Sequence, residues 1–248
     1  MAVENQASVP AKAHLAVSLT TSSPTISLSD SPSSPPFHLI VTTRITSSTN
    51  PGSAITLCTD GSVLDNGQHE RQDGLFWGAF LPLQSTTQPS RCIPLAYPGS
   101  PNYGSTPDAS PNLRERPWMR FETVPPMGQG ALRIEHELSL DRMFQNSRLL
   151  KAADVRPGEK FRVQMDPKRL FWAGWWTFGA LNDGELGGKR FAKWERPDED
   201  GSIGNLMPGE QRPDFKRMEK EGWVFSERFD DLEVTDDTEH SVIVEFIE

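Results

Sequence analysis

Apolar and polar residues alternate through the middle of the chain. Leu132, Ile134 and His136 are separated by charged residues, and Phe161 and Val163 are separated by an arginine. A strict two-residue period turns one face of a segment toward a core and the other toward water, which is typical of antiparallel strands. Similar apolar runs predict further strands at 15–19, 37–45, 55–58, 223–225 and 242–246.

The same pattern leaves little room for helices. The 248 residues include 21 prolines and 19 glycines, which interrupt most stretches that could form a long helix. The helical spacing of Leu140, Met143 and Phe144 predicts one short helix within 139–153, and a second is predicted at 213–222. The chain is therefore predicted to be an all-β, antiparallel β-sandwich with long Pro/Ser-rich loops and one or two short helices.

Composition does not shift enough along the chain to mark a boundary between domains. We expect the small, polar residues 1–12 to form a flexible tail and residues 13–248 to form a single domain. Residues 75–81 are apolar on both faces and predict a covered strand. Residues 84–116 are rich in Ser, Pro, Gly and Asn and predict a long loop.

Charge and hydropathy exclude several classes of partner. The formal net charge is −9 and the basic residues form no continuous run, so we expect no nucleic-acid partner. No apolar run approaches the roughly 20 residues of a membrane span, and the N-terminus lacks the features of a secretory signal. We therefore expect a soluble, cytoplasmic protein. Cys58 and Cys92 are predicted to be buried free thiols, with a disulfide between them as the alternative.

The chain contains few motifs for catalysis or metal binding. His136 lies between Glu135 and Glu137, but in a strand those neighbours point to the opposite face. The glycines at 184–188 do not match a phosphate-binding loop, and the acidic residues at 198–200 lack the spacing of a calcium loop. We expect a hydrogen-bonded core histidine, no bound metal and no cofactor. The sequence leaves open a Cys–His or Ser–His–Asp arrangement assembled by the fold.

An aromatic cluster offers the best candidate for a binding site. Three tryptophans, Trp172, Trp175 and Trp176, fall within five residues and closely follow Lys168 and Arg169. In an alternating strand these rings occupy both faces, so some of them are expected outside the core. We predict a binding surface formed by Arg169, Trp172, Trp175 and Trp176, suited to a protein or a small apolar ligand. The alternative interpretation is that the rings hold a loop against the sandwich.

Several short motifs resemble a family of uncharacterised intracellular proteins from filamentous ascomycete fungi. The matching motifs are Pro-Pro-Phe-x-Leu at 35–39, a Gly-rich apolar segment near Leu75, Glu-His-Glu-Leu-Ser-Leu at 135–140, Pro-Gly-Glu-Lys-Phe-Arg-Val at 157–163 and Trp-Trp-x-x-Gly at 175–179. The resemblance covers about residues 13 to 195. It implies an immunoglobulin-like β-sandwich and implies no activity or catalytic residues.

Two functional hypotheses follow. The first is a non-enzymatic binding or interaction module that uses the aromatic surface. The second is a small-molecule-binding protein or an enzyme of fungal secondary metabolism. It requires a pocket that brings His136 or His38 near carboxylates or arginine. The sequence favours the first hypothesis because aromatic residues outnumber reactive groups in the cluster. The partner and the oligomeric state stay open.

Overall fold

The structure is a computed structural model of the chain. It describes the residues 11–29, 36–67, 73–97, 110–148, 150–171, 174–182, 185–198, 201–206, 209, 211–239 and 241–248.

Short strands dominate the described residues. They are β1 (Ala13–Thr21), β2 (Thr25–Ser27), β3 (His38–Ser48), β4 (Ile55–Cys58), β5 (Leu83–Ser85), β6 (Cys92–Ile93), β7 (Phe121–Val124), β8 (Leu132–Glu137), β9 (Lys160–Val163), β10 (Trp176–Phe178), β11 (Arg190–Glu195), β12 (Trp223–Ser226), β13 (Leu232–Asp236) and β14 (Val242–Ile247). The α-helices are α1 (Leu140–Phe144) and α2 (Phe215–Lys220). An all-β fold with two short helices is confirmed, and both helices fall within their predicted ranges.

Two larger sheets combine antiparallel and parallel pairing. Their strand orders are β13-β1-β3-β8 and β2-β14-β9-β5-β6. Most neighbours are antiparallel, but β13 runs parallel to β1 and β2 runs parallel to β14. The prediction of a purely antiparallel arrangement is therefore wrong, because a two-residue period shows which face is buried but not the direction of the neighbouring strand.

One hydrophobic cluster draws side chains from both larger sheets. The inward positions of β1 and β3 contribute to it together with those of β9 and β14, and Trp176 of β10 also belongs to it. Burying these side chains removes them from water, which is the main driving force for folding. The alternation predicted in β8 and β9 is confirmed, since Ile134, His136, Phe161 and Val163 are buried.

Two smaller sheets arise from the long connections between the strands of the larger ones. The orders are β10-β4-β7 and β11-β12. Strand β4 lies in the connection 49–82, β7 in 94–131, and β10 to β12 in 164–231. A second hydrophobic cluster lies among these strands and consists of Cys58, Leu113, Trp175, Leu186 and Phe191.

The apolar segment at residues 75–81 is not a strand. It forms turns up to Gly78, and only Phe80 makes an isolated bridge, to Met165. Gly74 allows the main chain to approach Ser62 closely, since a Cβ atom at this position would lie 2.2 Å from the Ser62 carbonyl oxygen. The segment is folded against the loop that follows β4, and the N–H of Gly74 donates to the main-chain carbonyl of Asp65 in that loop.

The described part of the chain contains no helix that is long and apolar enough to cross a membrane.

Candidate functional site

Two of the tryptophans predicted to form a binding surface are buried. The exposed fraction is 4% for Trp175 and 0% for Trp176. The Trp175 ring stacks on Phe191 and its Nε1 donates to the carbonyl of Ala192 at 2.8 Å. The Trp176 Nε1 donates to the carbonyl of Arg228 at 2.8 Å. Both indoles are satisfied inside the protein, so neither belongs to an exposed aromatic face.

The physical reason is that β10 is covered on both sides. Trp176 points into the cluster shared by the larger sheets, whereas Trp175 points into the cluster of the smaller sheets. Gly174, with φ of +68°, turns the chain just before this strand, so the predicted alternation does not extend back through it. This corrects the expectation that rings on one of the two faces meet solvent.

The other two residues predicted for that surface are Arg169 and Trp172. Arg169 is half-buried at the end of a 3₁₀ turn; its N–H donates to the carbonyl of Asp166, and its carbonyl accepts from the N–H of Val63. Trp172 lies outside the described residues. The three described residues, Arg169, Trp175 and Trp176, therefore form no exposed aromatic surface.

His136 is a core histidine, as predicted. Its exposed fraction is 1%, and its ring meets that of Phe80 edge to face. Its Nε2–H donates to the carbonyl of Val63 at 2.7 Å, and its Nδ1 lies 3.5 Å from the carboxylate of Asp73. The ring is held by protein groups on both nitrogens, which is the arrangement of a structural polar residue.

Asp73 is the centre of this buried polar network. Its carboxylate also accepts from the guanidinium of Arg142 and from the N–H of Phe76. Burial alone would raise the pKa of Asp73, but the hydrogen bond with His136 and the charge of Arg142 outweigh it and lower the pKa below 3.8. The ionised carboxylate of Asp73 therefore stabilises the fold, and this stabilisation is lost as the pH falls below the ordinary aspartate pKa of 3.8.

A second charged cluster follows β4. Asp65 is fully buried, and its carboxylate pairs with Arg120 and accepts from the N–H groups of Gly61 and Gly67 at 3.1 and 3.2 Å. Asp60 lies nearby and is only partly buried. Burial, together with the negative charge of Asp65, raises the pKa of Asp60 to about 6.

Replacing Asp60 should change how stability depends on pH. Because its pKa is raised in the folded state, the ionised carboxylate destabilises the fold, and the protein loses stability as the pH rises from about 4 to about 6. We expect Asp60→Asn to remove this loss and to raise the free energy of unfolding at pH 8 by about 1–2 kcal/mol, since solvent screens part of the effect. Urea denaturation of both proteins at pH 4 and pH 8 measures this. The exposed Glu135→Gln is the control, and an Asp60→Asn protein with unchanged pH dependence would contradict the assignment.

The two cysteines are free thiols, as predicted. Cys58 is buried in β4 and Cys92 is half-buried in β6. Burial raises the pKa of the Cys58 thiol to about 12, so it is protonated and unreactive at neutral pH.

A polar groove lies beside β1 and β14. It has a volume of about 550 Å³, and its described lining consists of residues 18–24, Arg44, residues 237–239 and residues 241–243. Half of its fourteen lining residues carry hydroxyl groups: five lie between Ser18 and Ser23, and the others are Thr238 and Ser241. A smaller cavity of about 200 Å³ shares Leu19, Thr238, Ser241 and Val242 with it. Neither His136 nor His38 lines either cavity.

The groove exists because two chain segments cross between the sheets side by side. Strand β1 belongs to one large sheet and β2 to the other, and β13 and β14 are divided between the sheets in the same way. Because β13 is parallel to β1 and β14 is parallel to β2, the described parts of the two connections, residues 22–24 and residues 237–239, follow neighbouring strands in the same direction.

Charged groups stand at one side of this groove. Arg44 forms an exposed ion pair with Asp237, and Glu239 is exposed nearby. Thr238 anchors the wall to β1, because its hydroxyl accepts from the N–H of Leu19 at 3.1 Å. Sequence reasoning missed this site. The available signal was the concentration of Ser and Thr directly after the first predicted strand.

Comparisons of the chain with protein-family models, with curated proteins and with solved structures give no match. The functional conclusion therefore depends on the geometry of the molecule. In the described part of the chain, no three His, Cys, Asp or Glu residues are grouped so that they could hold a metal ion.

Proposed function

We propose that the protein is a non-enzymatic binding module and that the groove beside β1 and β14 is its ligand-binding site. The observation that carries this proposal is the hydroxyl-rich lining of a groove of about 550 Å³. Ligand sites commonly have volumes of about 300–1,000 Å³ and orient their ligands with a few polar groups. The described lining offers hydroxyls, one guanidinium and two carboxylates, which suit recognition by hydrogen bonding.

The ligand that fits this lining is polar. A serine or threonine hydroxyl both donates and accepts, whereas Arg44 only donates and Asp237 and Glu239 only accept when ionised. Arg44 and Asp237 neutralise each other as an ion pair, and the remaining carboxylate of Glu239 disfavours an anionic ligand. This chemistry favours a neutral ligand rich in hydrogen-bonding groups over the small apolar ligand considered from the sequence.

We also propose that the two larger sheets form an immunoglobulin-like sandwich that carries insertions. The strands of an immunoglobulin domain are lettered A to G in chain order. Strands A, B and E lie in one sheet and strands C, F and G in the other, and the variable type adds strand C′ beside C. The strand order supports this assignment: β1-β3-β8 corresponds to A-B-E, and β14-β9-β5-β6 to G-F-C-C′. Strand β2 then continues A on the second sheet, and β13 and the smaller sheets are insertions.

Filling the groove tests the proposed function. Thr20 is an exposed strand residue in the lining, and Thr20→Trp should block the groove without strain because strands accept aromatic residues. Thr46→Trp is the matched control, since Thr46 is exposed on neighbouring β3 outside the lining. Both variants should keep the unfolding free energy within about 1 kcal/mol of the original.

The readout is the amide NMR spectrum during titration with three separate pools: short peptides, disaccharides and nucleosides. We expect at least one pool to shift the amide signals of residues 18–23, 237–239 and 241–243. The same pool should lose at least about tenfold in affinity with Thr20→Trp and less than about threefold with Thr46→Trp. Shifts confined to other surfaces, or none with any pool, would contradict the proposed function.

A further inference from the structure

The main-chain groups of β1 point alternately to its two sides. Ser22 N–H donates to the carbonyl of His38 at 3.0 Å, and the register with β3 is continuous from Leu15 to Thr21. In an antiparallel ladder such bonded positions recur every second residue, so the N–H and C=O groups of residues 16, 18, 20 and 22 face β3. Those of the odd-numbered residues face away. Consistent with this, the Val17 carbonyl accepts from the N–H of Asp237 at 2.7 Å on the opposite side.

The outer edge of β1 is covered by β13 only as far as Val17. At Leu19 the N–H donates to a side chain, the hydroxyl of Thr238, instead of a neighbouring strand. The carbonyl of Leu19 and both main-chain groups of Thr21 therefore face the groove, which these two residues line. In the described ranges no strand pairs with this part of the edge.

The edge of β14 beside the groove lacks a pairing strand because of a proline. The N–H of Glu245 donates to the carbonyl of Pro24 at 2.9 Å, and the N–H of Leu28 donates to Ile247 at 2.8 Å. The two-residue period of this parallel ladder would next require residue 24 to donate to the carbonyl of Ile243. Proline has no N–H, so the pairing ends there. The main chain of Ile243 points to the same side as that of Glu245, two residues later, and Ile243 lines the groove on this side.

We propose that the groove binds an extended peptide, which adds to β1 as a short strand in line with β13. Its main chain donates to the Leu19 carbonyl and pairs with the N–H and C=O of Thr21. Strand addition to an open sheet edge obtains affinity from main-chain bonds and selectivity from the alternating side chains. Ser18, Thr20 and Arg44 line the groove beside this edge, so the peptide carries polar side chains toward them. This inference rests on the proposed function, because it names the ligand class of the same groove.

A substitution at Thr21 separates main-chain pairing from other modes of binding. Thr21→Pro removes an N–H that faces away from β3, and the extended residue before it tolerates a following proline. Thr21→Ala removes the same side chain but keeps the N–H. Urea denaturation should show that both variants stay folded.

The probe is a library of fluorescein-labelled hexapeptides built from Ser, Thr, Asn and Gln, measured by fluorescence anisotropy. We expect Thr21→Pro to weaken binding by about tenfold and Thr21→Ala by less than about threefold, because only the former removes a main-chain hydrogen bond. Methylating the backbone nitrogens of the best peptide should abolish its binding to the original protein.

Three results would overturn the peptide proposal. Hexapeptides that bind equally well to the Thr21→Pro variant or after N-methylation would exclude strand addition. If the groove amides respond to disaccharides or nucleosides but not to peptides, the result would contradict the peptide proposal and would still support the proposed function of the groove. A concentration-dependent dimer of the protein alone, lost with Thr21→Pro, would assign the edge to a second copy of this chain.

Discussion

Asp73→Ala is expected to lower the free energy of unfolding by about 3–5 kcal/mol. The Asp73 side chain is only 3% exposed. Its removal takes away the carboxylate that His136 and the Arg142 guanidinium both contact. Breaking a buried ion pair by removing one partner leaves the other charge poorly compensated, which costs more than the pair itself contributes. Urea denaturation followed by circular dichroism at pH 7 measures the change.

The pH dependence of this effect distinguishes the charge of Asp73 from its packing. Because the pKa of Asp73 is lowered in the folded state, its contribution is present above the ordinary aspartate range and is lost as the pH falls below 3.8. The difference between Asp73→Ala and the original protein should therefore shrink in acid. Glu135→Ala, on the exposed face of β8, should cost less than about 0.5 kcal/mol. A similar cost for both variants would mean that the buried network does not stabilise the fold.

Trp176→Ala is expected to lower the free energy of unfolding by about 3–5 kcal/mol. The ring is fully buried in the main cluster, and its N–H is bonded to the carbonyl of Arg228. Removing it leaves a large cavity and takes away one of the two hydrogen bonds that the Arg228 carbonyl accepts, the other coming from the N–H of Asp231. Circular dichroism during urea denaturation gives the unfolding free energy without relying on tryptophan fluorescence.

Trp118 provides the matched control for this substitution. Its exposed fraction is 41%, so Trp118→Ala should cost about 1 kcal/mol or less. If Trp176→Ala were equally mild and instead reduced binding to a partner, the burial of this ring would be contradicted and the aromatic surface predicted from the sequence would be restored.

Local patterns predicted the parts of the fold that depend on one segment at a time. The alternation in β8 and β9 identified buried positions because each strand has one covered face, and Pro213 and Gly222 bracket helix α2. The core placement of His136 also followed from its strand, since its acidic neighbours point to the other face.

Features that depend on distant partners were not predictable. Trp175 and Trp176 were assigned to a surface because a strand covered on both faces looks the same in sequence as a strand with aromatic residues on its exposed side. The groove unites residues 18–24 with residues 237–243, and no local pattern reveals that two such segments run in parallel. The Asp73 network likewise depends on contacts between separate elements.

The open edge of β1 is the feature on which the binding site depends most, and amide hydrogen exchange of the ligand-free protein tests it directly. The N–H of Ser22 is bonded to His38 and that of Thr20 faces β3, whereas the N–H of Thr21 faces the groove. We predict that the Thr21 amide exchanges at least about 100-fold faster than those of Thr20 and Ser22. Equal protection of all three amides would show that the edge is already paired and would contradict the account.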